Sequence, residues 1–136
     1  MTALKAEGLL AGISDACEGK EGVIRLGSPK ALHLNTLSSL RPDWILADLR
    51  DNRIEEIEKI KTFGKVKIFD VKGPEWVCDA IAEIGNLLGR KNEAKALYGP
   101  IQEEMRNSKS AFKDRPKKRT ALLLWNNPML TVNFDT

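Results

Sequence analysis

The chain has 136 residues, of which 42% are hydrophobic and 30% charged, and its 10 glycines and 6 prolines follow no repeat. This composition fits one globular domain, or one lobe of a larger protein, and excludes collagen-like, low-complexity and wholly disordered chains. The formal net charge is +3, with both signs spread along the sequence. Nucleic-acid binding needs a concentrated basic surface, so we expect no nucleic-acid partner and interpret the basic run at 113–119 as a solvated helix end.

The cysteines and the histidine predict neither a disulfide framework nor a metal site. Cys17 and Cys78 lie far apart without a Cys-x-x-Cys pair, and His33 stands alone. No apolar run approaches the roughly 20 residues of a membrane-spanning helix, and the first residues lack the basic and apolar regions of a signal peptide. We therefore expect no resident cofactor or metal, and a cytoplasmic location if the chain is expressed as written.

Two short strands and a helix are predicted at the start of the chain. The apolar run 8–14, bounded by glycine and by Ser-Asp, predicts a buried strand, and residues 23–26 predict a second one. Leucines at three-residue spacing predict a short helix over 33–40. That helix ends at Arg41, because a residue before proline avoids the helical region.

The middle of the chain alternates strands with amphipathic helices. The continuous apolar segment 44–47 predicts a strand covered on both faces, with Trp44 in the core. A helix with Asn52 as its N-cap follows, and its apolar stripe consists of Ile54, Ile57 and Ile60. Residues 66–71 predict the next strand, and 74–88 the next helix. This alternation predicts βαβ units, and so an α/β fold with a mostly parallel sheet flanked by helices.

A long helix and an isolated strand are predicted at the end of the chain. Helix 92–113 is interrupted at Pro100, because proline removes a backbone hydrogen bond and kinks or breaks a helix. The apolar segment 120–125 predicts a new buried strand, which either the first sheet or the same segment of a second copy must cover. We favour the second copy, which predicts a homodimer.

Three motifs follow one another in a characteristic order. The first, L-x-S-L-R-P-D-W-I-L-A, spans 37–47; the second, I-G-x-L-L-G-R-x-x-E-A, spans 84–94; and the third, W-N-N-P-M-L-T, spans 125–131. Together they resemble the N-terminal lobe of the helical-backbone substrate-binding proteins, which serve ABC importers of cobalamin, haem and iron-siderophores. The resemblance covers nearly the whole chain.

The resemblance implies a two-lobed, non-catalytic binder in which a long helix joins the lobes and a metal-chelate or tetrapyrrole small molecule lies in the cleft. It also implies an ABC permease in the membrane as a partner, and a periplasmic or lipid-anchored location. The chain then divides into an α/β lobe at 1–91, a connecting helix and basic junction at 92–119, and the first strand and turn of an incomplete second lobe at 120–136. It lacks the family's first strand and signal peptide, and Pro100 is a further departure. With one wall of the cleft absent, we expect this chain alone to bind such ligands weakly.

The candidate ligand-binding residues follow predicted strands, because ligands approach the carboxyl ends of parallel strands. By the resemblance, they are Cys17, Asp48, Arg50, Asn52, Trp125 and Asn126. Cobalamin receptors carry an aromatic residue where this chain has Asp48, which favours a polar ligand here. Two alternatives stay open: residues 48–52 as a turn that caps the next helix, and Cys17 as a small buried hydrophobe. Trp125 is preferred to Trp76 as the residue that stacks on a macrocycle.

Two acidic residues, Glu55 and Glu56, lie in the first turn of the helix after Asp48. In the family that the motifs resemble, acidic residues near this position dock on basic residues of the permease. The alternative is that these residues only stabilise their own helix, since acids in a first turn interact favourably with the helix dipole. Both interpretations stay open.

A phosphoacceptor receiver domain is the alternative from another class of protein. Asp48 would be its acceptor, because it ends a central strand, while Asp15 and Lys72 follow two other strands. A receiver needs an acidic pair where Asp15 stands alone, and its lysine belongs one strand after the position of Lys72. The order of these residues therefore favours the binding protein.

Overall fold

A computed structural model describes residues 1–18 and 21–116, together with the backbone of 123–126 and 129–131. Short 3-10 turns at Thr2–Leu4 and Glu7–Leu9 lead into β1 (Gly12–Ile13), which pairs in parallel with β2 (Ile24–Arg25). Both predicted strands are present, and both are shorter than predicted. The first loses its initial residues to a 3-10 turn.

A hairpin that the sequence did not predict follows at Gly27. Strands β3 (Gly27–Ser28) and β4 (Ala31–Leu32) pair antiparallel across a tight turn. Gly27 adopts a φ of 84°, and a Cβ on it would lie 2.9 Å from the carbonyl oxygen of Ala31, so this turn requires glycine. Helix α1 (Leu34–Leu40) then confirms the predicted leucine helix.

The longest parallel pair among the described strands joins β5 (Trp44–Asp48) to β6 (Lys65–Phe69). Helix α2 (Ile54–Ile60) connects the two strands, as the predicted βαβ alternation requires. Buried residues of α1, β5 and α2 form the core on one face of the pair, and they are Leu37, Ala47, Ile57 and Ile60. The predicted α/β fold class with parallel strands and flanking helices is therefore confirmed.

Only one face of β5 is buried, which corrects the prediction of a strand covered on both faces. Ala47 is buried and Ile45 packs against the core, whereas Trp44 and Leu46 are 37% and 40% exposed. Alternate residues of a strand point to opposite faces, so this apolar run divides between core and solvent. The Nζ of Lys65, directly opposite in register, lies 5.5 Å from the centroid of the Trp44 ring. Trp44 is thus a surface residue and not part of the core.

Helices α3 (Pro74–Leu87) and α4 (Lys91–Phe112) build a second cluster with the first turns of the chain. Its buried members are Leu4, Ala6 and Ala94. Gly85 is buried where the two helices meet, and a Cβ on it would overlap the Cβ of Ala94. The helices can approach this closely only because Gly85 has no side chain.

The turn between α3 and α4 explains the second motif of the sequence. Gly89 adopts a φ of 67°, in the left-handed region that glycine accepts without strain. The Arg90 N–H donates to the Gly85 carbonyl oxygen over 2.7 Å, and the Gly89 N–H donates to that of Asn86 over 3.3 Å. These two bonds form a Schellman cap, which satisfies the last carbonyl groups of α3.

Helix α4 continues through Pro100, so the interruption predicted there is not a break. An internal proline lowers the stability of a helix by ~3 kcal/mol. The residues on either side still form backbone hydrogen bonds once the helix has been nucleated, and these bonds allow it to continue. Leu97 and Tyr98 also hold the first half of the helix against the second cluster. Among the described helices, none combines the length and the apolar character that a membrane crossing needs.

The chain divides into two compact units, 1–105 and 106–136. In the second unit, β7 (Leu123–Asn126) pairs antiparallel with β8 (Met129–Thr131), a strand that the sequence did not predict. The start of the predicted strand 120–125 lies outside the described residues. One edge of β7 has a partner in the same chain, which weakens the argument that a second copy must cover it. The homodimer stays a prediction.

We expect Gly85→Ala to destabilise the first unit, because the new Cβ would overlap Ala94. Overpacking of this kind costs ~1–3 kcal/mol. Gly8→Ala is the matched control, since this glycine in the 3-10 turn Glu7–Leu9 has nothing within 4 Å of an added Cβ, and the free energy of unfolding should change there by less than about 1 kcal/mol. Urea unfolding followed by circular dichroism measures both free energies. Equal effects of the two substitutions would contradict the close contact of the helices.

Candidate functional site

The loops that follow β5 and β6 lie together at one edge of the parallel pair. The two strands end opposite each other, with Asp48 in register with Phe69. Pairing continues one residue further, since the Leu49 N–H donates to the Phe69 carbonyl oxygen over 3.0 Å. The Nη1 of Arg50 then donates to the Val71 carbonyl oxygen over 3.3 Å. Arg50 therefore ties the two loops together at the edge where ligands approach parallel strands.

Asp48 and Asn52 close the loop after β5. The Asp48 N–H donates to Asn52 Oδ1 over 3.1 Å, and the Asn52 N–H donates to the Asp48 carbonyl oxygen over 2.9 Å. The Asp48 carboxylate accepts a hydrogen bond from the Arg50 N–H over 2.7 Å. These bonds support the alternative that residues 48–52 form a turn, and a ligand contact by Asp48 stays a prediction.

The predicted role of Asn52 as an N-cap is wrong. Helix α2 begins at Ile54, its N-cap position is Arg53, and no side chain makes a capping hydrogen bond there. The Nδ2 of Asn52 donates instead to the Pro29 carbonyl oxygen over 2.9 Å, in the turn between β3 and β4. An amide can bind an N–H and a carbonyl group at the same time, and only the fold decides which ones it meets.

Large apolar side chains are exposed at the same edge. In and after the loop that follows β5, Leu49 is 43% exposed and Ile54 is 66% exposed. At the start of α3, Trp76 is 49% exposed and Val77 is 38% exposed. The segments that follow β5 and β6 therefore contain exposed apolar side chains as well as a hydrogen-bond donor, the Arg50 guanidinium. This combination suits a ligand with an apolar face and a polar periphery.

Ile54 belongs to the predicted apolar stripe of α2 but is not buried with its other members. The helix buries Ile57 and Ile60, while its first residue lies beyond the core. Trp76 lies at the start of α3 and is half exposed, as its position two residues after the proline that opens a helix predicts. The preference for Trp125 as the stacking residue stays a prediction, because the side chain of Trp125 lies outside the described residues.

The remaining ligand-binding candidates belong to other segments of the chain. Cys17 is exposed, so its interpretation as a buried hydrophobe is wrong, and its Sγ lies 3.4 Å from Ser14 Oγ. The Nη1 of Arg25 donates to the carbonyl oxygens of Cys17 and Ser14, over 2.7 and 3.3 Å, and so holds this loop after β1. Trp125 and Asn126 lie on β7 in the second unit, and their side chains are outside the described part of the chain.

The two candidate docking residues differ in their surroundings. Glu56 is only 13% exposed, and its carboxylate accepts a hydrogen bond from Lys59 Nζ over 2.6 Å. This bond lowers the pKa of Glu56 below its ordinary value; burial opposes the shift, and the Lys59 charge and a backbone hydrogen bond from Leu32 add to it. Glu55 is exposed. Glu56 is therefore paired locally with Lys59, whereas Glu55 is available to a partner.

The receiver alternative fails on the geometry of its lysine. Lys72 Nζ lies 3.0 Å from a carboxylate oxygen of Asp70, the residue that follows β6, so it pairs there and not with Asp48. In the described part of the chain, no three His, Cys, Asp or Glu side chains come together as a metal site would need.

The sequence profile of the periplasmic binding protein family matches residues 4–131. Because this match covers nearly the whole chain, the protein belongs to the periplasmic binding protein family. The class of protein that the three motifs resemble is thereby confirmed. The receiver domain, which is a different family, is set aside.

Solved structures of substrate-binding and ligand-binding proteins share this fold. The vitamin B12 binding protein BtuF of Vibrio cholerae is 14% identical over 81% of this chain and 44% of its own, with a TM-score of 0.69. An ABC transporter substrate-binding protein from Listeria monocytogenes is 19% identical over 90% of this chain and 49% of its own, with a TM-score of 0.72. The haem binding protein HutB of Vibrio cholerae is 19% identical over 90% of this chain and 49% of its own, with a TM-score of 0.68. At these identities the likeness shows the fold alone, and the chain spans 44–49% of the length of these structures.

We expect Glu56→Gln to lower the stability of the protein at neutral pH and to matter less in acid. The pKa of Glu56 is lower in the folded chain, so its ionised carboxylate contributes stability above its unfolded pKa, and this contribution is lost as the pH falls through the folded pKa. Urea unfolding at about pH 7 and about pH 3 measures the difference. Glu58→Gln is the control, because the Glu58–Lys61 pair is solvent-exposed. A loss of stability that is independent of pH would contradict the assignment.

Proposed function

We propose that this chain provides a ligand-binding wall of the substrate-binding component of an ABC importer, without catalysis. The proposed ligand is of the cobalamin, haem or iron-siderophore type. Membership of the periplasmic binding protein family supports the binding role, and the solved structures with this fold include proteins named for binding vitamin B12, haem and a ferric siderophore. The proposed location is periplasmic or lipid-anchored outside the cytoplasm.

The observation that carries the proposal is the exposed apolar edge at the ends of β5 and β6. An indole that is half exposed, such as that of Trp76, can lie flat against a macrocycle or a catechol-type ring. Leu49 and Ile54 extend the apolar surface on the neighbouring loop. A guanidinium has five N–H donors, so Arg50 keeps donors for a carboxylate or carbonyl oxygen of the ligand after binding Val71.

The proposed permease contact uses Glu55 and not Glu56. A docking carboxylate must be free to meet a basic residue of the partner, and Glu55 is exposed while Glu56 is held by Lys59. Glu55 also lies one turn from the loop that contains Arg50. A permease docked there would lie beside the ligand-binding edge.

We expect Trp76→Ala to weaken ligand binding at least about tenfold, because it removes the largest exposed ring of the edge. Trp44→Ala is the matched control, since Trp44 is also exposed but is the first residue of β5, at the end opposite these loops. Nitrogen-15 NMR titration with cyanocobalamin, gallium protoporphyrin IX and gallium desferrioxamine detects the weak binding expected of one wall. The largest chemical-shift changes should occur at residues 48–54 and 70–77. Shifts confined to other segments, or equal losses in both variants, would overturn the assigned site.

We expect Glu55→Arg to reduce the stimulation of ATP hydrolysis by a cobalamin-type or haem-type ABC permease in liposomes, because it reverses the docking charge. Glu56→Gln should leave this stimulation within about twofold of wild type once the variant is compared at equal folded fraction. The ATPase rate at saturating protein measures both. Unchanged stimulation by Glu55→Arg would contradict the docking role.

A further inference from the structure

The side-chain amide of Asn52 joins the loop after β5 to the turn between β3 and β4. Its Oδ1 accepts from the Asp48 N–H over 3.1 Å, and its Nδ2 donates to the Pro29 carbonyl oxygen over 2.9 Å. Both hydrogen bonds are partly buried. An amide that uses its oxygen and its nitrogen inside the protein has one lone pair and one N–H left for any other partner.

The N–H that Asn52 binds lies on the open edge of β5. In a parallel pair, alternate residues direct their backbone groups to the same neighbour. The Leu49 N–H points to β6, where it meets Phe69, so the N–H of Asp48 points away from β6. Among the described residues, β5 pairs only with β6, and the side chain of Asn52 takes the place of a further strand at Asp48.

The same Asp48 holds the loop that contains Arg50. Its carboxylate accepts the Arg50 N–H over 2.7 Å, and the guanidinium of Arg50 reaches the Val71 carbonyl oxygen. The hydrogen bonds therefore run in sequence from the β3–β4 turn through Asn52, Asp48 and Arg50 to the loop after β6. Loss of the Asn52 amide detaches this chain of bonds from the β3–β4 turn.

We propose that Asn52 is a positioning residue: it fastens the Arg50 loop to the β3–β4 turn, and the ligand contacts Arg50 and not Asn52. This inference rests on the proposed function, because it assigns a ligand contact to Arg50. It replaces the interpretation of Asn52 as a ligand-binding residue. The edge is then formed before the ligand arrives, so less ordering is needed on binding.

Amide hydrogen exchange tests the fastening without any ligand. In Asn52→Ala the Asp48 amide loses its acceptor, so its exchange rate should rise at least about tenfold, while the Ile57 amide in the core of α2 keeps its rate. Asn35→Ala, on the exposed surface of α1, is the control and should change neither rate. An unchanged exchange rate at Asp48 in Asn52→Ala would overturn the proposal.

A double-mutant cycle tests whether Asn52 acts through Arg50. With whichever of the three probes binds the wild-type chain, Asn52→Ala should weaken binding about tenfold, but less than about twofold once Arg50→Ala is present. Losses that multiply would show that Asn52 contacts the ligand itself, and an unaffected affinity in Asn52→Ala would show that fastening is irrelevant to binding. Either result would overturn the proposal.

A second variant separates folding from positioning. Asn52→Asp keeps an acceptor for the Asp48 N–H but turns its other oxygen against the Pro29 carbonyl oxygen. The Asp48 amide should then stay protected while binding still weakens; full wild-type affinity in this variant would contradict the link to the β3–β4 turn. If no probe binds the wild-type chain, the proposed function and the ligand contact of Arg50 fail, and the exchange rate at Asp48 alone decides whether Asn52 fastens the loop.

Discussion

The parallel, in-register pairing of β5 with β6 is the constraint on which the rest of the first unit depends. Because both strands run in the same direction, the chain must return from the end of one to the start of the other, and α2 makes this crossing. The crossing buries Ile57 and Ile60 on one face of the pair. It also brings the carboxyl ends of both strands to one edge, where Arg50 and Val71 become hydrogen-bonded neighbours despite their separation in the sequence.

Glycine residues allow the close approaches that this arrangement requires. A Cβ on Gly64 would lie 2.6 Å from the carbonyl oxygen of Pro42, so β6 begins beside the start of β5 only because residue 64 has no side chain. Gly85 has the same function between α3 and α4. On the other face of the strand pair, an ion pair between Lys67 and Glu83 links β6 to α3. The contact at Gly85 explains why the second motif has glycine at this position.

The candidate site differs from the core in how its polar groups are satisfied. The backbone and side chains of Asp48 and Asn52 bind one another, the Arg50 N–H and the β3–β4 turn, so the polar groups of this loop have partners within the protein. The segments that follow β5 and β6 also contain exposed apolar groups such as Leu49 and Trp76, and the Arg50 guanidinium, which has donors beyond its bond to Val71. An edge of this kind offers apolar contact area and directional hydrogen bonds together, which is what recognition of a large ring system with polar substituents requires.

The sequence by itself determined the alternation of strands and helices from β5 to α4, the ends of α1 and α3, and the family, because periodicity, glycine and proline act over a few residues and do not depend on distant neighbours. It also indicated which edge carries the loops of interest. Tertiary structure decided which groups are buried and which partners polar atoms meet. Trp44 is exposed because one face of β5 packs on the helices, and Asn52 binds Asp48 and Pro29 in place of capping α2. Burial and hydrogen bonding between distant residues depend on what the fold brings together, and no local spacing contains that information.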